Sequence, residues 1–398
     1  MRGRGFISRF ASVAGMTNST AGFVPPPYPQ AQLGSLRSLA EAAPGGLVDT
    51  SVGTPVDPMP EVARRALIEA LPSSSGYPAS IGSPEFRQAA ADWMARRLSA
   101  TVNPTDVTAC VGTKEAVASL AYYLALRSPG RDTVLYPELA YPTYAMGATL
   151  AGLRAQPVPV DENWCIDLSR VDPADARRAL VLWLNDPANP TGACASASAM
   201  ANAVTWAQQR GIVVASDECY AEFTFTAAGA PAPPVTALAG DHTGVLAVHS
   251  LSKRSNLAGL RVGFMAGDPD LVSYLGEVRR HAGLMVAAPN QAAAAAALAD
   301  DAHVDEQRSR YQHRRAVMTP ALESFGLVSD GGPSTFYLWL TDPSDPSTNG
   351  WAIAERLART GLLVAPGDLY GAAGAKHVRL ALSITDEQTE LAASRLRQ

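Results

Sequence analysis

Residues 245–253 read Val-Leu-Ala-Val-His-Ser-Leu-Ser-Lys, an apolar run that passes into two serines and Lys253. A short apolar run with polar residues at its end is typical of a strand that is buried on both faces of a parallel sheet. Ligands of such sheets bind at the carboxyl ends of the strands. The segment therefore predicts a buried strand that delivers a lysine, flanked by hydroxyl groups, to a ligand site.

Similar apolar runs lie at 133–136, 179–184 and 212–216, with turns and helical stretches between them. The helix predicted over 196–210 begins at a serine that can cap it and stops at a glycine. Strands that alternate with helices imply right-handed crossovers. We therefore expect an α/β fold with a mainly parallel central sheet that is covered by helices.

The pattern changes after about residue 287. The C-terminal part is predicted to be a smaller α+β domain with a charged helix (304–325), a strand (335–340), a helix (351–360) and short strands near Leu363 and Val378. A chain of 398 residues is also too long for one compact core.

We therefore expect several parts along the chain. They are a flexible N-terminal arm (1–30), the N-terminal part of the small domain (31–60), a large cofactor-binding domain (61–286) and the small C-terminal domain (287–398). The arm holds arginines and a proline cluster but no apolar segment of a secretory signal, and the chain can start at Met1 or at Met16.

Composition and charge argue against several functions. The net charge of −5 and the lack of a basic block argue against nucleic acid or an anionic membrane as a partner, and no apolar stretch suits a bilayer span. Four cysteines without a C-x-x-C pair argue against a zinc ribbon or a disulfide framework, and they favour a reducing compartment. We expect a cytoplasmic enzyme that holds no metal.

Polar groups follow the other predicted strands as well. Residues 185–192 read Asn-Asp-Pro-Ala-Asn-Pro-Thr-Gly, and Asp217 and Tyr220 follow the run at 212–216. The turn Gly-Thr-Lys at 112–114 follows another apolar run and opens a helix, whose free backbone N–H groups suit a phosphate. These groups are expected at one edge of the sheet.

The chemistry of this set is that of one cofactor. A lysine can bond covalently to an aldehyde, a carboxylate can keep a pyridine nitrogen protonated, and tyrosine and asparagine can hydrogen-bond a phenolate oxygen. A glycine–threonine turn with serine and arginine can bind a phosphate dianion. The sequence therefore predicts a pyridoxal 5′-phosphate enzyme, in which the protein orients the cofactor and the cofactor stabilises a carbanion.

The order of the motifs resembles that of the class I/II aminotransferases of fold type I. From Gly53 to Arg379 the chain carries, in this order, Gly-Thr-Lys, Tyr-Pro-Thr-Tyr, Asn-Pro-Thr-Gly, Asp-Glu-x-Tyr, Ser-x-Ser-Lys and His-Val-Arg-Leu-Ala. Arg261 follows the lysine of Ser-x-Ser-Lys by eight residues. Each motif alone is weak, whereas the whole series in order is specific. The resemblance implies the pyridoxal phosphate-dependent transferase fold and ping-pong transfer of an amino group.

The resemblance also implies roles at the cofactor. Lys253 would hold the cofactor covalently and move the proton between the substrate Cα and C4′ of the cofactor. Asp217 would pair with the pyridine nitrogen, Tyr220 and Asn189 would donate to the ring oxygen, and Tyr141 would stack on the ring. The phosphate would be bound by Gly112, Thr113, Lys114, Ser250, Ser252 and Arg261. Ala140 departs from the phenylalanine or glycine often found there in the family, so the choice between Tyr141 and Tyr144 stays open.

Other positions match the substrate side of the family's site. Arg379 would clamp the substrate α-carboxylate, since a guanidinium fits a planar anion through two hydrogen bonds. Gly53 and Asn189 would line the substrate pocket. Tyr77 would reach the phosphate of a neighbouring subunit, and this implies a homodimer.

Motifs of several other protein classes are missing from the sequence. The chain has no G-x-G-x-x-G after a first strand, no H-E-x-x-H and no G-x-S-x-G. The segment before Gly53 is expected to be too short, and to lack the basic helices, for a winged-helix regulator. A pyridoxal phosphate lyase or decarboxylase stays open, because it differs only in which bond on Cα is broken. Cys219, His249 and His281 are interpreted as structural residues.

Several short segments of the sequence resemble one subgroup of this family, and the resemblance narrows the choice of substrate. Ser-Val-Gly-Thr-Pro, Ser-Asp-Glu-Cys-Tyr and Leu-Val-Ala-Pro-Gly-Asp-Leu-Tyr-Gly resemble the actinobacterial N-succinyldiaminopimelate aminotransferases of lysine and diaminopimelate biosynthesis. This implies amino transfer between glutamate and N-succinyl-2-amino-6-oxopimelate; aspartate or aromatic amino acids are alternatives. A cation for the distal carboxylate is expected among Arg37, Arg254, Arg279 and Arg280.

Overall fold

The computed structural model describes residues 23–398 except 74 and 346. Its strands are β1 (Val48–Asp49), β2 (Val107–Cys110), β3 (Thr133–Pro137), β4 (Arg154–Val158), β5 (Ala179–Asn185), β6 (Val213–Asp217), β7 (Val245–Ser250), β8 (Gly263–Gly267), β9 (Val328–Ser329), β10 (Tyr337–Thr341), β11 (Leu362–Leu363), β12 (Ala365–Pro366) and β13 (Val378–Ala381). Its helices are α1 (Gly34–Glu41), α2 (Glu61–Ala70), α3 (Pro84–Trp93), α4 (Thr113–Arg127), α5 (Thr143–Leu150), α6 (Pro173–Arg178), α7 (Ala197–Gln208), α8 (Leu251–Arg254), α9 (Pro269–His281), α10 (Ala288–Ala299), α11 (Ala302–Ser324), α12 (Gly350–Ala358) and α13 (Asp386–Leu396).

The larger sheet has seven strands in the order β2-β8-β7-β6-β5-β3-β4. The run from β7 to β4 is parallel, while β8 is antiparallel to both of its neighbours. The predicted mainly parallel sheet is confirmed, and its four central strands match the predicted apolar runs to within one or two residues. The reversed direction of β8 was not predicted, because an apolar run carries no information about strand direction.

Both faces of this sheet are covered by helices. Along β5, Val181 and Trp183 pack with α4 and α5, whereas Leu182 and Leu184 pack on the opposite face with α7. Successive side chains of a strand point to opposite faces, so a strand that is apolar throughout is buried on both sides. Because β5, β6 and β7 are neighbouring parallel strands, their carboxyl ends lie side by side.

The C-terminal part builds a second, smaller layer. Strands β12, β13, β10 and β9 form an antiparallel sheet in that order, and β1 pairs in parallel with β11. Their apolar side chains share a core with α1, α11, α12 and α13. Residues near the N-terminus thus pack with the C-terminal elements.

The division into domains stays a prediction, and packing favours one change to it. The apolar side chains of α10 lie in the same core as Ala63 of α2 and Phe86 of α3, beneath the larger sheet. The predicted boundary at residue 286 would assign α10 to the small domain. Its alanine-rich sequence gave no sign of which core it would join.

The described ends of the chain bear on two other predictions. Residues 1–22 of the predicted arm, including both candidate start methionines, lie outside the described residues. Residues 23–28 are irregular, and a short 3₁₀ helix follows at Pro29–Leu33. Within the described part of the chain, no helix is both long enough and apolar enough to cross a membrane.

Candidate active site

A cavity of about 270 Å³ lies at the carboxyl ends of β5, β6 and β7. Residues of the seven-stranded sheet and of the four-stranded sheet line it. The predicted site residues that line it are Gly53, Thr113, Lys114, Tyr141, Asn189, Asp217, Tyr220, Ser250, Ser252, Lys253, Arg261 and Arg379. The fold therefore brings most of the predicted set together, and the roles of these residues stay predictions.

Lys253 lies in α8, the short helix that follows β7 directly. Its ammonium donates a hydrogen bond to the backbone oxygen of Gly53. Burial lowers the pKa of Lys253 to about 8, because a low-dielectric environment disfavours the charged form. An amine with this pKa is partly neutral at physiological pH, as a nucleophile and a base must be.

Asp217 ends β6 at the floor of the cavity. Its carboxylate accepts hydrogen bonds from the hydroxyl of Tyr144 (2.8 Å) and from the backbone N–H of Cys219 (3.2 Å). Burial raises the pKa of Asp217, and these hydrogen bonds oppose that rise. A buried carboxylate with a free face toward a cavity suits a cationic partner such as a protonated ring nitrogen.

Tyr144, which the sequence left as an alternative to Tyr141, has a different environment from that residue. Tyr144 is fully buried and stacks on Trp183 with ring centroids 4.9 Å apart. Tyr141 is half-buried and lines the cavity beside it, with its ring edge-on to that of Tyr144. The geometry favours Tyr141 for stacking on a ligand and Tyr144 for holding Asp217.

We expect Tyr144→Phe to lower kcat/KM about tenfold, because a charge-assisted hydrogen bond to a buried carboxylate contributes roughly 1.5–3 kcal/mol. Without that donor the pKa of Asp217 rises further, so the pH titration of the cofactor's visible band should shift. Tyr136→Phe is the matched control: Tyr136 is mostly buried, and its hydroxyl makes no hydrogen bond with the described residues. Equal effects in the two variants would contradict the assignment.

Arg379 is buried on β13 at the wall opposite the larger sheet. Its guanidinium donates to Asn189 Oδ1 and to the backbone oxygen of Ser51, both at 2.8 Å, and lies over the rings of Tyr337 (4.1 Å) and Tyr370 (4.8 Å). Neutral partners leave its positive charge uncompensated within the described residues. A carboxylate in the cavity would compensate it.

Gly53 makes the closest approach in the site. A Cβ at this position would lie 1.9 Å from the hydroxyl oxygen of Tyr337, and that hydroxyl is 2.8 Å from the hydroxyl of Tyr220. Only glycine fits without moving this tyrosine pair.

Gly53→Ala is therefore expected to displace Tyr337 and to lower kcat/KM about tenfold or more, since a misplacement near 1 Å can cost a hundredfold. Steady-state kinetics would measure the loss. Gly34→Ala, where an added Cβ meets nothing within 4 Å, is the control. Unchanged kinetics in Gly53→Ala would show that this close contact is unimportant.

The predicted phosphate site lies at the N-terminus of α4. Gly112 precedes the helix with a φ of +71°, and a Cβ there would lie 2.3 Å from Nη2 of Arg261. Thr113, Ser250, Ser252 and Arg261 line the cavity beside it. The side chain of Lys114 is exposed, and its ammonium donates to the hydroxyl of Tyr28 (2.7 Å) at the N-terminal segment. The backbone turn and Arg261 suit a phosphate; the Lys114 ammonium is held by Tyr28.

These groups fit pyridoxal phosphate. The fit rests on the buried carboxylate of Asp217, the lysine with a lowered pKa, the helix N-terminus with Arg261, and the amide Nδ2 of Asn189, which makes no hydrogen bond with the described residues. A lysine, a carboxylate and a phosphate turn at adjacent strand ends define an enzyme that carries this cofactor.

Other predicted residues do not line the cavity. Tyr77 is 97% exposed and lies outside it. Of the four arginines proposed for a distal carboxylate, Arg254 is paired with Glu222 (3.5 Å) and Arg279 with Glu115 (2.5 Å), both deep in the protein. The other two, Arg37 and Arg280, bond to Asp49 and to Ser80, and neither lines the cavity.

The structure adds residues that the sequence did not single out. Tyr28, Gln30, Asn185 and Tyr337 line the cavity, and Tyr370 stacks on Arg379. They come from four distant parts of the chain. Asn185 and Tyr370 lie inside motifs quoted above but were given no role there, and no motif marks the other three. His249, interpreted as structural, is buried between Trp93 and Phe264, and burial lowers its pKa to about 3.

Comparison with known proteins identifies the family. Residues 46–396 match the model of the aminotransferase class I and II family. The chain belongs to this family, so it is a pyridoxal phosphate-dependent transaminase, and amino and keto acid substrates are consistent with this family.

Three similar proteins have more specific names. The 4-dedimethylamino-4-oxo-anhydrotetracycline transaminase OxyQ of Streptomyces rimosus is 44% identical over 93% of this chain and 99% of its own. The LL-diaminopimelate aminotransferase of Aquifex aeolicus is 33% identical over 94% and 96%. The solved structure of a probable N-succinyldiaminopimelate aminotransferase from Thermus thermophilus has a TM-score of 0.81 and 32% identity, over 92% and 99%.

Proposed function

We propose that this transaminase moves an amino group between glutamate and N-succinyl-2-amino-6-oxopimelate, in lysine and diaminopimelate biosynthesis. The observation that carries the proposal is that Lys114 lines the cavity together with Arg379, so that a cation is available besides the one assigned to the α-carboxylate. Similarity to a probable N-succinyldiaminopimelate aminotransferase and to an LL-diaminopimelate aminotransferase supports the choice of substrate.

The cofactor supplies an electron sink that stabilises a carbanion at the substrate Cα. Around it, Lys253 moves the proton between Cα and C4′, and Asp217 keeps the ring nitrogen protonated. Arg379 holds the substrate α-carboxylate through two hydrogen bonds. Tyr220 and Asn189 Nδ2 donate to the ring oxygen, while Tyr141 stacks on the ring. The turn at Gly112–Thr113 binds the phosphate together with Ser250, Ser252, Arg261 and the backbone N–H of Lys114.

Lys114 is the proposed partner of the second carboxylate. The described cations that line the cavity are Lys114, Lys253, Arg261 and Arg379, and the last three have tasks at the cofactor or the α-carboxylate. The ammonium of Lys114 is exposed and contacts neutral groups, the hydroxyl and ring of Tyr28. An exposed ammonium beside a neutral hydroxyl can form an ion pair with a carboxylate at little cost in desolvation.

Lys114→Met is expected to raise KM for N-succinyl-LL-diaminopimelate about two- to fivefold, since an exposed ion pair contributes up to roughly 1 kcal/mol. The value of kcat/KM for alanine, which has no second carboxylate, should change little. Lys376→Met is the control because Lys376 is exposed and lies outside the cavity. If both substrates lose activity equally, Lys114 serves the cofactor and does not bind the distal carboxylate.

The absorption of the bound cofactor tests the function itself. N-succinyl-LL-diaminopimelate should bleach the visible band of the purified enzyme, and 2-oxoglutarate should restore it. Bleaching by glutamate but not by the succinyl compound would keep the transaminase and remove the proposed substrate. Release of carbon dioxide or ammonia, with a band that persists or returns without any keto acid, would indicate a decarboxylase or a lyase.

A second candidate follows from the 44% identity to OxyQ. A ketone related to the one in that enzyme's name would then be the amino acceptor. A lining cation besides Arg379 favours an acceptor that carries more than one carboxylate, and so we place this candidate second. After bleaching by glutamate, restoration of the band by a tetracyclic ketone, and not by N-succinyl-2-amino-6-oxopimelate, would reverse the order.

We propose in addition that the enzyme is a cytoplasmic homodimer in which Tyr77 reaches the partner's phosphate. Tyr77 is 97% exposed, so its ring is accessible to a partner subunit, and the four cysteines are free thiols, as is usual in a reducing compartment. Light scattering and cofactor affinity would test this. A monomer with full activity, or unchanged cofactor affinity in Tyr77→Ala, would contradict it.

A further inference from the structure

A second cavity, of about 330 Å³, lies behind the segment that carries Asn189. We call it the rear cavity; its walls include Trp164, Ile166, Leu168, Met200 and Trp206, with Asp186 among them. The proposed function gives it no task. Its lining is apolar apart from a few polar side chains, which include Asn185, Asp186 and Asn202. Mostly apolar pockets with a few polar groups commonly bind small organic molecules.

Asp186 is the unusual residue of this cavity. It is 5% exposed, and one carboxylate oxygen, Oδ2, accepts a hydrogen bond from the backbone N–H of Ala195 (2.5 Å). The other oxygen, Oδ1, accepts no hydrogen bond from the described residues, and none of them forms an ion pair with Asp186. Burial raises the pKa of Asp186 to about 8. A carboxyl group buried in this way is costly unless a partner compensates it.

A structural role in joining the two ends of the loop does not explain why residue 186 is an acid. The bond to Ala195 holds residues 186–195 together, and an asparagine could accept it equally well without the cost of burying an acid. What an acid offers beyond an amide is a proton that it can lose, since a bound ammonium group favours the ionised carboxylate and lowers the raised pKa of Asp186. Apart from the thiol of Cys165, Asp186 is the sole ionisable group among the described residues that line the cavity.

Two tryptophans, Trp164 and Trp206, form aromatic walls of the rear cavity. Trp164 is fixed by a hydrogen bond from Nε1 to the backbone oxygen of Asp330 (2.7 Å) and by edge contact with Trp339. Trp206 carries the guanidinium of Arg210 over its ring, 4.4 Å from the centroid. Aromatic walls bind apolar bodies and tolerate a nearby organic cation.

We propose that the rear cavity binds a small organic amine, with its apolar body between the tryptophan walls and its ammonium group paired with Oδ1 of Asp186. Such a ligand would contact Asn185, which lines both cavities. Asn185 donates to the backbone oxygen of Asp217 (2.9 Å) and accepts from the backbone N–H of Asn189 (2.8 Å). An occupied rear cavity would thereby fix the residue that links these two site residues.

Binding of N,N-dimethyl-2-phenylethylamine to the holoenzyme, measured by calorimetry, tests the proposal. This tertiary amine cannot bond covalently to the cofactor aldehyde, and 2-phenylethanol is the matched neutral probe. We expect one site and an affinity for the amine at least about tenfold above that for the alcohol, the value of one charge-assisted hydrogen bond. An amine that binds no more tightly than the alcohol would overturn the proposal.

Two variants locate the site. Asp186→Asn should bind amine and alcohol equally weakly, whereas the control Glu162→Gln, at an exposed carboxylate, should keep the preference. Ala203→Phe places a ring in the cavity from α7 and should abolish binding of both probes. Undiminished amine binding in Asp186→Asn or in Ala203→Phe would show that the amine binds elsewhere, and the proposal would fall.

Discussion

Lys253→Ala should leave a folded protein that binds pyridoxal phosphate but turns over at least about ten-thousandfold more slowly. General base catalysis alone contributes roughly 10²–10⁴-fold, and the loss of covalent attachment adds to it. The side chain lies in a cavity where, among the residues that the structure describes, its one hydrogen bond is to the backbone oxygen of Gly53, so its removal disturbs little of the fold. Single-turnover measurement of cofactor bleaching would record the effect.

Two further lysine variants sharpen this test. Lys253→Arg retains a positive charge but cannot act as a base, because arginine stays protonated, and it should be as inactive as the alanine variant. Lys376→Ala removes an exposed lysine outside the cavity and should be fully active. Substantial turnover in Lys253→Ala would refute the assignment.

Asp217→Asn is expected to lower kcat about a hundredfold to a thousandfold, the usual cost of losing a preorganised charge at a reacting group. The amide keeps the size of the side chain but cannot hold the ring nitrogen protonated. The stability of the cofactor-free protein should not fall, because burial already raises the pKa of Asp217 and a neutral group avoids that cost. Kinetics and thermal unfolding would be measured together.

The two readouts separate catalysis from folding. A large loss of kcat with unchanged or higher unfolding temperature supports a role at the ring nitrogen. A loss of both in proportion would assign Asp217 a structural role, in keeping with its bond to buried Tyr144.

Much of the architecture could be predicted from short stretches of the chain. The runs that became β3, β5, β6 and β7 were visible because a strand buried on both faces is apolar at every position. The antiparallel direction of β8 and the packing of α10 were not visible, since neither strand direction nor the choice between two cores leaves a local pattern.

The candidate site divides in the same way. Lys253, Asp217 and the Gly112 turn could be proposed from sequence because each follows an apolar strand, and strand ends of a parallel sheet meet at one edge. The distal cation was sought among Arg37, Arg254, Arg279 and Arg280, but the cavity presents Lys114. A buried arginine and an exposed one look alike in a sequence; their burial depends on partners such as Glu222 and Glu115.

The order of the motifs along the chain was thus sufficient to predict the family, the cofactor and the candidate residues at the strand ends. Each of these predictions depends on short local patterns and on the order in which they occur. Folding alone placed Tyr144 on Asp217, Tyr337 against Gly53, Tyr28 on Lys114 and Asp186 in a second cavity. Most of these contacts join elements that are tens to hundreds of residues apart, and such pairings arise when separate apolar surfaces pack together and close the chain around them.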